Sequence, residues 1–324
     1  MRRLGCIVGL VLAVLGAAAL VLSDDLLGAA TIGEETPFVI PAGSSLSAVA
    51  DDLEGRGLIT SADGFLMRAR LFGSADPIQA GEFALKPGMD QAAILAAFQQ
   101  GNVIRRFVTI PEGMPSILVW ERVMAEPLLE GEIEVPPEGS ILPDTYAFER
   151  GQDRAALIEQ MQSAMDLFLA QAWAERSEET IAVETIREAL ILASIVEKET
   201  GTPTERARIA GLYSNRIKTG MMLQADPTII YPITKGKPLG RRIRQSEIAA
   251  INDYNTYTML GLPSGPITNP GRESIEAVLN PEIHEYLFMV ADGTGGHDFN
   301  ADLDGHNAAV ARWFELRRQR GEME

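Results

Sequence analysis

A chain of 324 residues carries 45 acidic against 28 basic side chains, a formal charge of −17. That balance argues against a general nucleic-acid binder, because phosphate contact needs a basic face and only Arg241, Arg242 and Arg244 cluster. A single cysteine, Cys6, excludes an intrachain disulfide and any cysteine-built zinc site, and three histidines do not suit a histidine-rich metal centre.

Leu4 to Leu22 is an unbroken apolar run between Arg2-Arg3 and Asp24-Asp25. At about 1.5 Å per residue such a run crosses most of a ~30 Å hydrocarbon core, and the arginines put its amino end in the cytoplasm. Residues 1–23 therefore read as a cytoplasmic tip and transmembrane anchor in the cytoplasmic (inner) membrane, with the body of the chain in the periplasm. Ala17, Ala18 and Ala19 leave a cleaved signal peptide open as the alternative. Residues 24–36 carry glycine, alanine and acids without periodicity and read as a tether.

From Phe38 the pattern tightens. Phe38–Ile40 is strand-like, Ser44-Ser45 opens a helix through Leu53, a second short helix starts near Ala62, and Gly81–Leu85 returns as a strand. A helix over Gln91–Phe98 and a strand over Val103–Ile110 complete a small αβ module, 37–110. Its pattern alone fits a packed spacer as well as a glycan-binding unit.

Pro111-Glu112-Gly113 opens a larger mixed domain, 111–324, so the fold class is α+β. A proline-dense loop, 136–146, precedes an amphipathic helix from about Arg154 to Glu175, whose Met161, Met165 and Phe168 read as core. The stretch TIREALILASIVEKETG, 185–201, follows. Thr185 and Glu188 form a capping-box signature, and from Ala189 to Val196 only Ser194 is polar, so this helix is predicted to be buried on most of its circumference. Glu197 arrives where that run ends. A carboxyl there is either a charge marking where the helix surfaces or a partly desolvated acid suited to proton transfer. Thr202-Pro203-Thr204-Glu205 predicts a second capping box and a helix running to Gly220 after a tight turn.

The remainder is rich in polar loops. Amide, hydroxyl and aromatic groups in 223–231, 253–257 and 261–271 suit sugars, which offer hydroxyl edges and C–H faces. No phosphate-cradling glycine loop and no nucleophile-elbow serine is present. His297 and His306 sit in a run of glycine and aspartate that lacks EF-hand spacing, so they read as loop-holding groups, and no metal or cofactor is expected. A closing helix is expected from Asn307 to Arg320.

Taken together, GSILPDTY at 139–146, LASIVEKET at 192–200, LQADPTIIY at 223–231, YNTY at 254–257 and GLPSGPITNPG at 261–271 closely resemble the endolytic murein transglycosylase (MltG, or YceG-like) family. The resemblance implies a LysM-like subdomain over 37–110 and a catalytic domain over 111–324. It implies a lyase that cuts the β-1,4 bond between N-acetylmuramic acid and N-acetylglucosamine within nascent peptidoglycan strands, leaving 1,6-anhydromuramyl ends and limiting strand length. It puts the catalytic acid and base on Glu197, the first acid of VEKE, with Gln224, Asp226, Thr228, Tyr254, Asn255 and Tyr257 as substrate-binding candidates. Implied partners are glycan strands, the membrane and peptidoglycan synthases of the penicillin-binding class. Ser264, where the family usually has proline, and Gly305, where it has an acid, depart from the pattern and bear on substrate detail. The competing reading is a non-enzymatic glycan-binding scaffold that recruits synthases.

Overall fold

A computed structural model of the chain describes residues 30–73 and 76–322. The expected anchor, Leu4–Leu22, lies outside the described residues, and among the described residues no helix is long and apolar enough to cross a membrane. The described residues divide into two compact units: one takes those up to Arg106 together with Ala147–Gly151, the other takes Phe107–Tyr146 and those from Gln152 onward.

In the smaller unit, β1 (Thr36–Ile40) is followed by α1 (Leu46–Gly55) and α2 (Ala62–Phe72), and β2 (Gly81–Leu85) returns antiparallel to β1 with Phe38 opposite Phe83. Helix α3 (Gln91–Gln100) covers the pair. Ser45, Ser61 and Asp90 cap the three helices through their side-chain oxygens, each satisfying a first-turn amide that has no partner within the helix. The core is aromatic: Phe98 stacks on Phe38 at 5.7 Å and meets Phe83 edge-on at 4.9 Å. Glu82 is buried beside Arg106 and Arg150; burial alone would raise its pKa, but the two guanidiniums outweigh it and hold the carboxyl low.

Strand β3 (Arg106–Thr109) leads into the larger unit and pairs with β4 (Thr145–Phe148). Between them lies α4 (Ser116–Met124), and beyond β4 runs the long α5 (Arg154–Ala174). At the centre is α6 (Ile186–Glu199), which starts on the capping box foreseen from Thr185 and Glu188 and buries Ala189 and every residue from Ile191 to Val196. The one polar residue of that run, Ser194, donates to the Ile191 carbonyl at 2.7 Å and accepts from the Ile267 amide at 3.1 Å, so its own buried hydroxyl is satisfied.

The turn after α6 differs from expectation. Pro203–Glu205 forms a single 3-10 turn and α7 (Arg206–Lys218) begins only after it. The second capping box does not form, because Glu205 turns its carboxylate to His297 instead. Next come α8 (Asp226–Thr234), the short α9 (Gln245–Ile248) and α10 (Arg272–Leu279), then the antiparallel hairpin β5 (Phe288–Ala291) and β6 (His297–Asn300), and α11 (Leu303–Gln319). His297 thus lies on a strand, not in a loop. Helices α7 and α10 pack on α6, and the core they share centres on Leu192, Ile195, Val196, Ile209, Leu212 and Ile275.

Asn269 ties the loops that surround the end of α6. It is fully buried, accepts from the Ile141 amide at 3.0 Å and donates to the Met114 carbonyl at 2.8 Å and to Ser116 Oγ at 3.1 Å. The motifs at 139–146 and 261–271 therefore converge by hydrogen bonding, and with residues 111–116 they flank the VEKE turn.

Candidate active site

The last turn of α6 carries two carboxyl groups that face different ways, as a separation of about 200° on a helix requires. Glu197 faces α10. Its Oε2 accepts from the Gly271 amide at 3.0 Å and from Ser274 Oγ at 2.7 Å, the first-turn donors of that helix. Glu112 packs on the same corner, where its carboxylate and that of Glu273 pair with the buried Arg206. Burial first, and then the nearby Glu197 charge, raise the Glu112 pKa.

Glu199 faces α7, α8 and β6. The residue as a whole is half-buried, yet its Oε1 is sealed from solvent and has no hydrogen-bond partner. Burial is the main cause that pushes its pKa up to about 7, and the Asp226 charge adds to the rise. A hydrogen bond with Tyr213 and the charges of His297 and Arg216 act the other way without cancelling it. Tyr213 is itself buried to 1% exposure, and its own pKa is raised by burial and by Glu199.

The surrounding side chains are held firmly. Arg216, on α7, donates Nε to the Leu287 carbonyl at 2.7 Å and Nη1 to the Leu223 carbonyl, which fixes it between the hairpin and the loop before α8. The Glu205 carboxylate meets His297 on two sides: its Oε1 accepts from the His297 backbone amide at 2.8 Å, and its Oε2 lies 2.8 Å from His297 Nδ1. Glu205 also receives Thr200 Oγ1 at 3.3 Å, so the end of α6 is stapled to β6 one residue beyond Glu199. Tyr257 donates its hydroxyl to Asp226 Oδ1 at 2.6 Å, leaving an exposed carboxylate in a fixed pose.

The sequence-expected residues separate into two groups. Asp226 and Tyr257 join the Glu199 cluster. Gln224 is exposed beside them on a strained backbone, φ 51°, and its amide donates to the Thr256 carbonyl. Tyr254 stands apart from that cluster, its ring 4.8 Å from that of Tyr231. Thr228 and Asn255, expected to touch substrate, are instead fully buried struts. Thr228 Oγ1 bonds the Ala225 carbonyl and Thr256 Oγ1, and Asn255 clamps the carbonyls of Ile248 and Ala250 while accepting from the Tyr257 amide. They shape the loops that present Asp226 and Tyr257. Tyr213, Arg216, Glu205 and His297 went unrecognised in the sequence; the i, i+3 spacing of Tyr213 and Arg216 on α7 was the one available signal.

Among the described residues no group of three or more His, Cys, Asp and Glu side chains is arranged to hold a metal ion. The chemistry on offer is that of a carboxylic acid poised near neutrality, with a second carboxyl group, Asp226, in the same cluster.

The YceG-like family model matches residues 38–312. The endolytic murein transglycosylase of Bacillus subtilis (strain 168) is 28% identical over 318 residues, covering 87% of this chain and 85% of that protein. That of Streptococcus pneumoniae serotype 2 (strain D39) is 27% identical and covers 84% of this chain, which spans only 57% of the streptococcal protein. A solved yceG-like protein of Listeria monocytogenes, 29% identical, superposes with a TM-score of 0.53 over 85% of this chain and 99% of its own. With the match running from the first strand into the last helix, the chain belongs to the YceG-like family.

Proposed function

We propose that the chain is a membrane-anchored endolytic transglycosylase acting on peptidoglycan, with Glu199 as the acid and base. The carrying observation is the Glu199 carboxyl, raised to about 7 in the company of Asp226, Tyr257 and His297. At neutral pH such a group is present in both protonation states, as a residue that must give and then take a proton requires. Protonated Glu199 donates to the glycosidic oxygen as the muramyl C1–O bond breaks. The muramyl C6 hydroxyl then attacks C1, and the Glu199 carboxylate removes its proton, closing the 1,6-anhydro ring without a water nucleophile. Asp226, held by Tyr257, faces the positive charge that develops at C1. Glu197, to which the family resemblance assigned the acid and base, supports the site instead, its Oε2 being committed to Gly271 and Ser274.

The Asp226–Glu199 pairing also favours a second reading. Glycosidases that use water employ two carboxylates, so Asp226 as a base would make the chain a muramidase. Fragment masses separate the two: anhydro ends are one water lighter than reducing ends.

The apolar run Leu4–Leu22 supports an anchor in the cytoplasmic membrane, with the catalytic unit in the periplasm, where nascent strands are within reach and trimming would limit their length. The strand, helix, helix, strand order of 36–85 supports a LysM-like glycan-binding module, and synthases are the natural neighbours of an enzyme working there. Membrane fractionation tests the anchor; recovery of the full chain in the soluble fraction contradicts it.

A further inference from the structure

A pocket of about 420 Å³ opens in the larger unit next to the proposed catalytic cluster. Lys198 and Pro227 line it, each one residue from a cluster member, Glu199 and Asp226. Its walls are poorly suited to a sugar ring. Met114, Leu118, Ile230, Leu239 and several prolines supply aliphatic surface, and Tyr231 is the sole aromatic among the lining residues. Sugar hydroxyls pressed against such walls would lose water without gaining partners, at a cost per group that a binding site does not tolerate. Small methyl-bearing side chains suit them.

The charges at the pocket are two ammonium groups and one carboxylate. Lys237 is paired with Glu121, and Glu112 is paired with Arg206. Lys198 differs: its Nζ reaches only the Gly113 carbonyl, at 3.4 Å, and forms no ion pair among the described residues. An uncommitted cation at the mouth of an aliphatic pocket is complementary to a short peptide that carries small apolar side chains and a carboxylate.

We infer that this pocket receives the acidic stem peptide borne by the muramyl residue next to the scissile bond, with Lys198 pairing a peptide carboxylate and Leu118 and Ile230 packing on the alanyl methyls. The inference rests on the proposed activity for its substrate. It makes Lys198 a specificity-determining residue that selects peptide-bearing strands over stripped ones.

The test uses the full chain in detergent, with glycan strands carrying intact stems and the same strands stripped by an amidase. Wild type is expected to show kcat/KM at least ~10-fold higher on stem-bearing strands, and Lys198→Ala to collapse that ratio toward one through KM, about the effect of losing one charge-assisted pair. Leu118→Glu, which sets an acid against the stem carboxylate, is expected to do the same, with thermal unfolding as the control for folding. Equal cleavage of both substrates by wild type, or a preference that survives Lys198→Ala, overturns the inference and leaves the activity standing. Cleavage of neither substrate removes the activity; titration with a muramyl tripeptide and with its carboxamide form then still reads the pocket. Weaker binding of the carboxamide supports the inference, and no binding of either form contradicts it. Competition by peptide-free N-acetylglucosamine oligomers that depends on Lys198 would assign the pocket to the glycan and overturn it.

Discussion

Replacing Glu199 by Gln is expected to stabilise the fold in a pH-dependent way while removing activity. The ordinary carboxyl value is 4.5, and in the fold it is raised to about 7, chiefly by burial. Below 4.5 both folded and unfolded chains carry the proton. Between the two values the folded chain holds it more tightly, so stability falls as pH rises through that window, and above about 7 the full penalty of a buried charge is present. At ~1.4 kcal/mol per pH unit the penalty reaches about 3 kcal/mol. Glutamine keeps the shape and can still bond Tyr213, but never ionises. Thermal unfolding of wild type and Glu199→Gln across pH should therefore coincide near pH ~4 and diverge by pH ~8, with the variant higher by roughly 6–10 °C for a unit of this size. A variant that is less stable at pH ~8, or an offset independent of pH, would refute the account of Glu199 as an acid held neutral by its surroundings.

Other consequences follow from single contacts. Glu197→Ala should destabilise by about 1–3 kcal/mol, since it strands the Gly271 amide and the buried Ser274 hydroxyl, whereas Glu197→Gln should keep measurable turnover; a Glu197→Gln variant as inactive as Glu199→Gln would return the acid role to Glu197. Asn255→Ala should lower the unfolding temperature by removing the clamp on Ile248 and Ala250, and a change in KM without a loss of stability would make it a substrate contact after all. Gly211→Ala should cost about 1–3 kcal/mol, because the new methyl would sit 2.2 Å from the Glu282 carbonyl, a backbone atom that cannot swing aside; denaturant unfolding measures it. Asp226→Asn should lower kcat far more than it raises KM if Asp226 faces charge that exists only in the transition state, and the reverse result would make it a binding residue.

Much of the architecture was legible because local rules and tertiary packing agree along α6. The capping box at Thr185 and Glu188 formed as read, and the apolar run from Ala189 to Val196 is buried apart from the half-buried Leu190. The environment that led us to propose Glu199 over Glu197 was not legible. Their angular separation is a property of the helix, but which face meets the cluster depends on Asp226, Tyr257 and His297, residues between 27 and 100 positions further along the chain. The burial of Thr228 and Asn255 was not legible for a related reason: a polar residue in a loop motif serves the loop's own backbone as readily as a ligand, and the sequence does not show burial. Glu205 looked like a helix cap from spacing alone, and a partner 92 residues away, His297, claimed its carboxylate.

The most direct test of the central claim is the mass of the fragments released from purified peptidoglycan by the full chain and by its Glu199→Gln and Glu197→Gln variants. The account predicts internal fragments with anhydro ends from wild type, the same fragments in reduced amount from Glu197→Gln, and none from Glu199→Gln. Anhydro ends persisting in Glu199→Gln, or reducing ends from wild type, would contradict it.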